Sequence, residues 1–188
     1  LQPFEPEDAR GDGRRVESAG RNLADGLARF EDGADRATVA DFFRELDRLK
    51  IEYVVLRWFE EVPLTPEDEK TTTKDIDILF RDSDLKKVMR IGARFSGNVL
   101  AEFYSVSGKR GTSARGYPYY PPALAEKIIT HREQYRNHFY IPSPREHFQS
   151  LCYHLVYHKG YDSGLPINSS EPLRATSPRD YQSLLSKF

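Results

Sequence analysis

The chain has 188 residues, 38% hydrophobic and 30% charged, with eleven phenylalanines and eleven tyrosines. That is material for one ordinary domain and excludes a wholly disordered polymer. A net charge of −1 excludes the general basic field that holds duplex DNA without regard to sequence, so no duplex nucleic acid is expected as a partner. A single cysteine, Cys152, excludes an internal disulfide framework and a cysteine-rich zinc site. No apolar run reaches the roughly 18 residues that span a bilayer, and the start lacks the basic-then-apolar pattern of a secretory leader. These features together predict a cytoplasmic location. The chain begins on Leu1 rather than methionine, which suggests part of a larger polypeptide.

In chain order, residues 1–17 alternate charge and glycine with little to bury, and read as a linker or disordered arm. A weak helix with Leu23, Leu27 and Phe30 on one stripe follows. "TVADFFRELDRLK" places Val39, Phe42, Phe43, Leu46 and Leu49 at helical spacing behind an N-cap at Thr38. "EYVVLRWF" reads as a strand, "EEVPLTPEDEKTTT" as a polar loop and "KDIDILF" as a second strand. "DSDLKKVMRIGARF" is an amphipathic helix, and "NVLAEFYSV" a third strand ending at the turn "SGKRG". Beyond the aromatic, proline-rich "ARGYPYYPP", the stretch "ALAEKIITHREQYRNH" reads as helix and "FYI" as a short extended piece. "SPREHFQSLCYHLVYHKG" carries full helix punctuation, with Ser143 as N-cap, Pro144 at the first position, Glu146 closing a capping box and Gly160 as the stop. A short helix near "RDYQSLLSKF" ends the chain.

The expected fold class is α+β, a small mixed sheet with packed helices and a C-terminal helical segment. The expected division is an arm at 1–17, an α/β domain at 18–120 and a helical region at 121–188 packed on it.

Asp75 and Asp77 stand two apart on a strand and so share a face, with Ile76, Ile78 and Phe80 on the other. Carboxylates at that spacing on a rigid strand suit magnesium or manganese, which take oxygen ligands together with substrate phosphates. Glu102, flanked by apolar residues in the third strand, is the candidate third carboxylate. The same pair also fits a solvated strand edge with no ligand.

The stretch "YVVLRWFEEVP…KDIDILF" resembles the nucleotidyltransferase superfamily, the DNA polymerase β-like fold, over roughly residues 38–106. The resemblance implies that Asp75, Asp77 and Glu102 are catalytic metal ligands. It also implies transfer of a nucleoside monophosphate to a hydroxyl with magnesium. Where that family carries Gly-Ser after the first strand, this chain has Arg57-Trp58. Trp58 obstructs close backbone approach to a triphosphate, whereas Arg57 offers a guanidinium fork to phosphate, or serves as an ion-pair partner.

Lys109, Arg110 and Arg115 lie among glycines just past the third strand and read either as a phosphate cradle or as a solvated hairpin tip. His154 and His158 are four apart on one helix face and read, with Lys159, as substrate-phosphate contacts or as partly buried hydrogen-bonders. The segment "YHLVYHKGYDSGLP" is similar to segments in bacterial surface-polysaccharide assembly proteins.

The expected activity is a magnesium-dependent nucleotidyl- or phosphoryl-type transferase. Its donor is a nucleotide or phosphate-activated sugar and its acceptor the hydroxyl of a sugar or glycan. The alternatives are a catalytically inactive scaffold domain of a larger polysaccharide-assembly enzyme, and an antitoxin-like nucleotidyltransferase that modifies a partner protein.

Overall fold

The computed structural model describes residues 37–95, 99–109, 111–114, 116–165 and 179–188. They belong to one compact unit, Gly33–Phe188. The expected arm and the weak helix around Leu23 lie outside the described residues.

The fold is α+β. Helix α1 (Val39–Arg48) starts on a reciprocal capping box: the Thr38 hydroxyl accepts from the Asp41 N–H, and the Asp41 carboxylate accepts from the Thr38 N–H. It buries Phe42, Phe43 and Leu46. Strand β1 (Tyr53–Val55) pairs antiparallel with β2 (Ile76–Phe80), and β2 pairs parallel with β3 (Ala101–Ser105). Helix α3 (Leu85–Gly92) makes the crossover between the parallel strands and buries Val88 and Ile91. The sheet order is β1-β2-β3.

The stretch between β1 and β2, expected as loop, contains a 3₁₀ turn at Phe59–Glu61 and helix α2 (Pro66–Thr71). Thr65 caps α2 by accepting from the Asp68 N–H, Pro66 takes the first position, and three acidic residues fill the first turn. Each of these is a helix-start signal outweighed in the sequence by the lack of any apolar stripe.

The stretch 123–138 also differs from expectation. Helix α4 (Pro122–Thr130) stops early, and a hairpin follows, β4 (Glu133–Tyr135) with β5 (Phe139–Ile141). Arg136 and Asn137 both take positive φ, 48° and 60°, the mirror-image turn whose twist matches paired strands. Burial drives the exchange: Phe139 is fully buried and packs 4.9 Å from the Phe43 ring.

Helix α5 (Pro144–Tyr153) begins at Ser143 as expected, although the Ser143 hydroxyl donates to the Glu146 carboxylate instead of accepting a backbone N–H. The helix then widens into a π-helical turn, His154–Lys159, which ends at Gly160 with φ +52°. Helix α6 (Tyr181–Leu185) closes the chain.

Both faces of the sheet are covered. Tyr53, Val55, Ile76, Ile78 and Phe80 face one core with α1, α3 and the hairpin. Val54, Leu56, Leu79 and Tyr104 face a second core with Tyr119, Tyr120 and α4. Residues on either side of position 120 therefore share a core. Among the described residues, no helix is long and apolar enough to cross a membrane.

Candidate metal centre

Parallel register sets the site. Asp77 of β2 lies directly opposite Glu102 of β3, and Asp75 immediately precedes β2 on the face of Asp77. One carboxylate oxygen from each of Asp75, Asp77 and Glu102 lies within 4.8 Å of the others. The expected acidic triad is thus assembled at the start of the parallel pair, on the face that carries Leu79 and Tyr104.

The three differ in environment. Asp75 is exposed. Asp77 is 8% exposed, and burial pushes its carboxyl up, with Arg57 pulling it back and Asp75 adding to the rise. Glu102 is raised by desolvation and by the charges of Asp77 and Asp75, partly offset by a hydrogen bond from the Tyr104 hydroxyl. Clustered carboxylates raise one another because each added negative charge costs more than the last. A divalent cation relieves that cost, and three hard oxygen donors fit magnesium or manganese.

Arg57 lies inside the site. β1 ends at Val55, Leu56 still donates its N–H to the Asp77 carbonyl, and Trp58 turns the chain with a left-handed φ of 53°. That turn brings the Arg57 guanidinium to Asp77, with Nη2 2.6 Å from Oδ2. Nη1 donates to the Tyr120 hydroxyl at 3.0 Å, and the guanidinium sits 5.2 Å from the Tyr119 ring centroid. Burial works against the charge on Arg57, but Asp77 and the surrounding tyrosines more than offset it, so the guanidinium stays charged.

The other expected phosphate ligands among the described residues lie in two places. Lys109 follows β3 at the end opposite Glu102. Its N–H donates to Ser105 Oγ and its charge acts on Asp82. Arg110 and Arg115 lie outside the described residues. His154 is buried, with Nδ1 2.6 Å from the Tyr119 hydroxyl and Nε2 3.0 Å from the Tyr181 hydroxyl. Burial, helped by Arg57, pushes it down to about 2, so the ring is neutral at physiological pH. His158 bonds through Nε2 to the Tyr119 carbonyl at 2.8 Å and stacks on the Tyr119 ring at 4.1 Å. Lys159 closes the same π turn. The His154 and His158 rings belong with Tyr119 to the aromatic cluster against which Arg57 lies.

Sequence reasoning missed the cations on the open side. Lys74 and Arg179 line a narrow cleft with Trp58, Glu61 and Asp75. Glu61 lies 3.7 Å from Lys74 and 2.5 Å from Arg179, and Arg179 also covers the Trp58 ring at 4.6 Å. Lys74 adjoins the aspartate pair and was legible as a neighbour. Arg179 lies more than a hundred residues further on, and no local pattern connects it to this site.

No protein-family model matches this chain, and neither a curated protein nor a solved structure does.

Proposed function

We propose that the protein is a magnesium- or manganese-dependent transferase that moves a nucleotidyl or phosphoryl group from a phosphate-activated donor to a hydroxyl, the acceptor being a sugar or glycan. The observation that carries this reading is the convergence of Asp75, Asp77 and Glu102 within 4.8 Å on two rigid parallel strands. Asp75, Asp77 and Glu102 would hold the ion. Bound there, it would supply charge neutralisation to a phosphoryl group. Tyr104 orients Glu102 through its hydroxyl, and Arg57 fixes the rotamer of Asp77. Lys74, beside Asp75 and paired with Glu61, would meet donor phosphate there, and Arg179 lines the same narrow cleft. The buried tyrosines and the neutral His154 exclude water from the back of the site.

The buried Arg57–Asp77 pair also favours a second reading, a binding domain without catalysis, since one carboxylate is already neutralised. One experiment separates the two. Common ribonucleoside triphosphates and uridine diphosphate sugars are titrated by calorimetry with and without magnesium, and label transfer to sugar acceptors is followed in parallel. The transferase reading expects magnesium-dependent donor binding and transfer, with transfer abolished in Asp75→Asn, a change at an exposed side chain. Transfer that persists in Asp75→Asn would refute the metal role. Donor binding without transfer would establish the silent domain.

A further inference from the structure

The cleft beside Asp75 holds an acid in an unusual position. A single oxygen of Glu61, Oε2, lies 3.7 Å from Lys74 Nζ and 2.5 Å from Arg179 Nη1. The two cations come from distant parts of the chain, Lys74 from just before β2 and Arg179 from just before α6. One anionic oxygen between an ammonium and a guanidinium, at the wall of a cleft, is also the setting in which proteins hold a phosphoryl oxygen.

The partners are not equally fixed. The Arg179 side chain is 14% exposed, its guanidinium lies 4.6 Å over the Trp58 ring, and its charge reaches Asp77. Trp58 is held in turn against the Tyr181 ring, 5.7 Å away, and has a left-handed φ of 53°. That backbone conformation costs a residue with a Cβ about 1–2 kcal/mol and persists where the surroundings enforce it. Here it sets the indole beneath Arg179. The Glu61 side chain, by contrast, is 42% exposed. Ion pairs to carboxylates so open to water contribute only about 0–1 kcal/mol, so the acid is the replaceable partner. With Glu61 in place the cleft measures about 10 Å³, room for about one water and not for a phosphate. Turning the carboxylate outward vacates its own volume and releases both cations.

We propose that Glu61 is an internal stand-in for a ligand phosphate. Lys74 and Arg179 form an anion subsite beside Asp75, and the Glu61 carboxylate closes it until a phosphate-bearing ligand takes its place. The ligand class rests on the transferase reading above, whereas the subsite itself needs no metal. A phosphate group brings more negative charge and more acceptor oxygens than a carboxylate, so the exchange strengthens the contacts at both cations. A ligand without an anionic group gains nothing from them and leaves the cleft closed.

The test is a calorimetric titration of the full chain with inorganic pyrophosphate, in the presence of a chelator so that no metal takes part. Glu61→Gln keeps the shape of the side chain and removes its charge. It is expected to bind pyrophosphate at least about tenfold more tightly than the parent, since both the competing anion and its repulsion are gone. Glu60→Gln makes the same change in net charge at the neighbouring residue, which pairs with Lys187 at 3.0 Å and does not line the cleft. It is expected to bind as the parent does. The double variant Glu61→Gln/Lys74→Gln should fall back to the parent level, and Lys74, 44% exposed, can be changed without disturbing a core. Glu61→Gln binding no more tightly than the parent, or not at all, would overturn the inference. An equal gain in Glu60→Gln would assign the effect to net charge and overturn it too, as would a gain that survives loss of Lys74. None of these results depends on an ion at Asp75, so failure here leaves the metal-dependent reading standing. Transfer that persists in Asp75→Asn would in turn remove the metal role and leave the anion subsite.

Discussion

Asp77 and Asp75 are neighbours in the triad but differ sharply in what their loss should do to stability. Asp77→Ala removes the hydrogen-bonded carboxylate partner of a buried guanidinium, leaving it the Tyr120 hydroxyl, aromatic faces and the more distant charge of Glu102. Breaking a buried pair from one side costs about 3–5 kcal/mol, because the remaining ion keeps its desolvation penalty and loses its attraction. Against a total of about 5–15 kcal/mol for an ordinary domain, that is a large fraction. At about 2–4 °C per kcal/mol for a chain of this size, the midpoint should fall by about 10 °C. Asp75→Ala removes an exposed side chain that repels Asp77, so its effect should stay within about 0.5 kcal/mol, neutral or slightly stabilising. Urea titration and thermal melts followed by circular dichroism measure both. The double variant Arg57→Met/Asp77→Leu, which replaces the pair by apolar groups, should recover most of the loss. If Asp77→Ala proves as stable as Asp75→Ala, the pair is not holding the site together and the argument fails. The practical corollary is that catalytic tests belong on Asp75, where lost activity cannot be confused with lost fold.

Acid should destabilise the protein through its histidines. His147 is buried against the Phe59 and Phe188 rings and pushed down to about 4, and His154 to about 2, both from an ordinary 6.5 and both chiefly by desolvation. Below pH 6.5 the unfolded chain takes up protons that the folded chain refuses, so stability falls with pH down to each folded value. Between pH 6.5 and 5 each group should cost about 2 kcal/mol, at about 1.36 kcal/mol per unit. His147→Leu should remove about half of that joint loss in urea titrations at the two pH values, and an unchanged slope would refute the assignment. A glycine pair provides a control on backbone geometry. Gly108 has φ +65° and a Cβ there would meet the Pro118 nitrogen at 2.6 Å, whereas Gly111, at φ +85°, has open space around it. Gly108→Ala should cost about 3 kcal/mol, combining backbone strain with overpacking, and Gly111→Ala about 1 kcal/mol from strain alone. Equal losses in urea titrations would contradict the close approach.

Local pattern decided the elements with strong periodicity. The apolar stripe of α1 and its Thr38 cap, the β-branched run of β1 and the alternation around Asp77 were all legible, because each depends on residues a few positions apart. So was the shared face of Asp75 and Asp77, which strand parity dictates wherever the strand packs. The pairing of Asp77 with Glu102 was a guess until the parallel register placed them opposite each other. The extended piece at 139–141 was legible, but its partner strand at 133–135 was read as the end of a helix, because the burial of Phe139 against Phe43, a contact across nearly a hundred residues, overrode the local pattern.

Charge was where the sequence said least. Lys109, Arg57 and His154 all look like phosphate ligands when read as residue types. What each one does depends on which side of which strand it meets. The chain turn at Trp58 brings Arg57 to Asp77, the parallel sheet carries Lys109 to the far end, and burial keeps His154 a neutral ring between two tyrosine hydroxyls. Backbone preference is a local property and can be read along the chain. The energy of a charge is set by its distance to other charges and by its burial, and only the folded chain determines either.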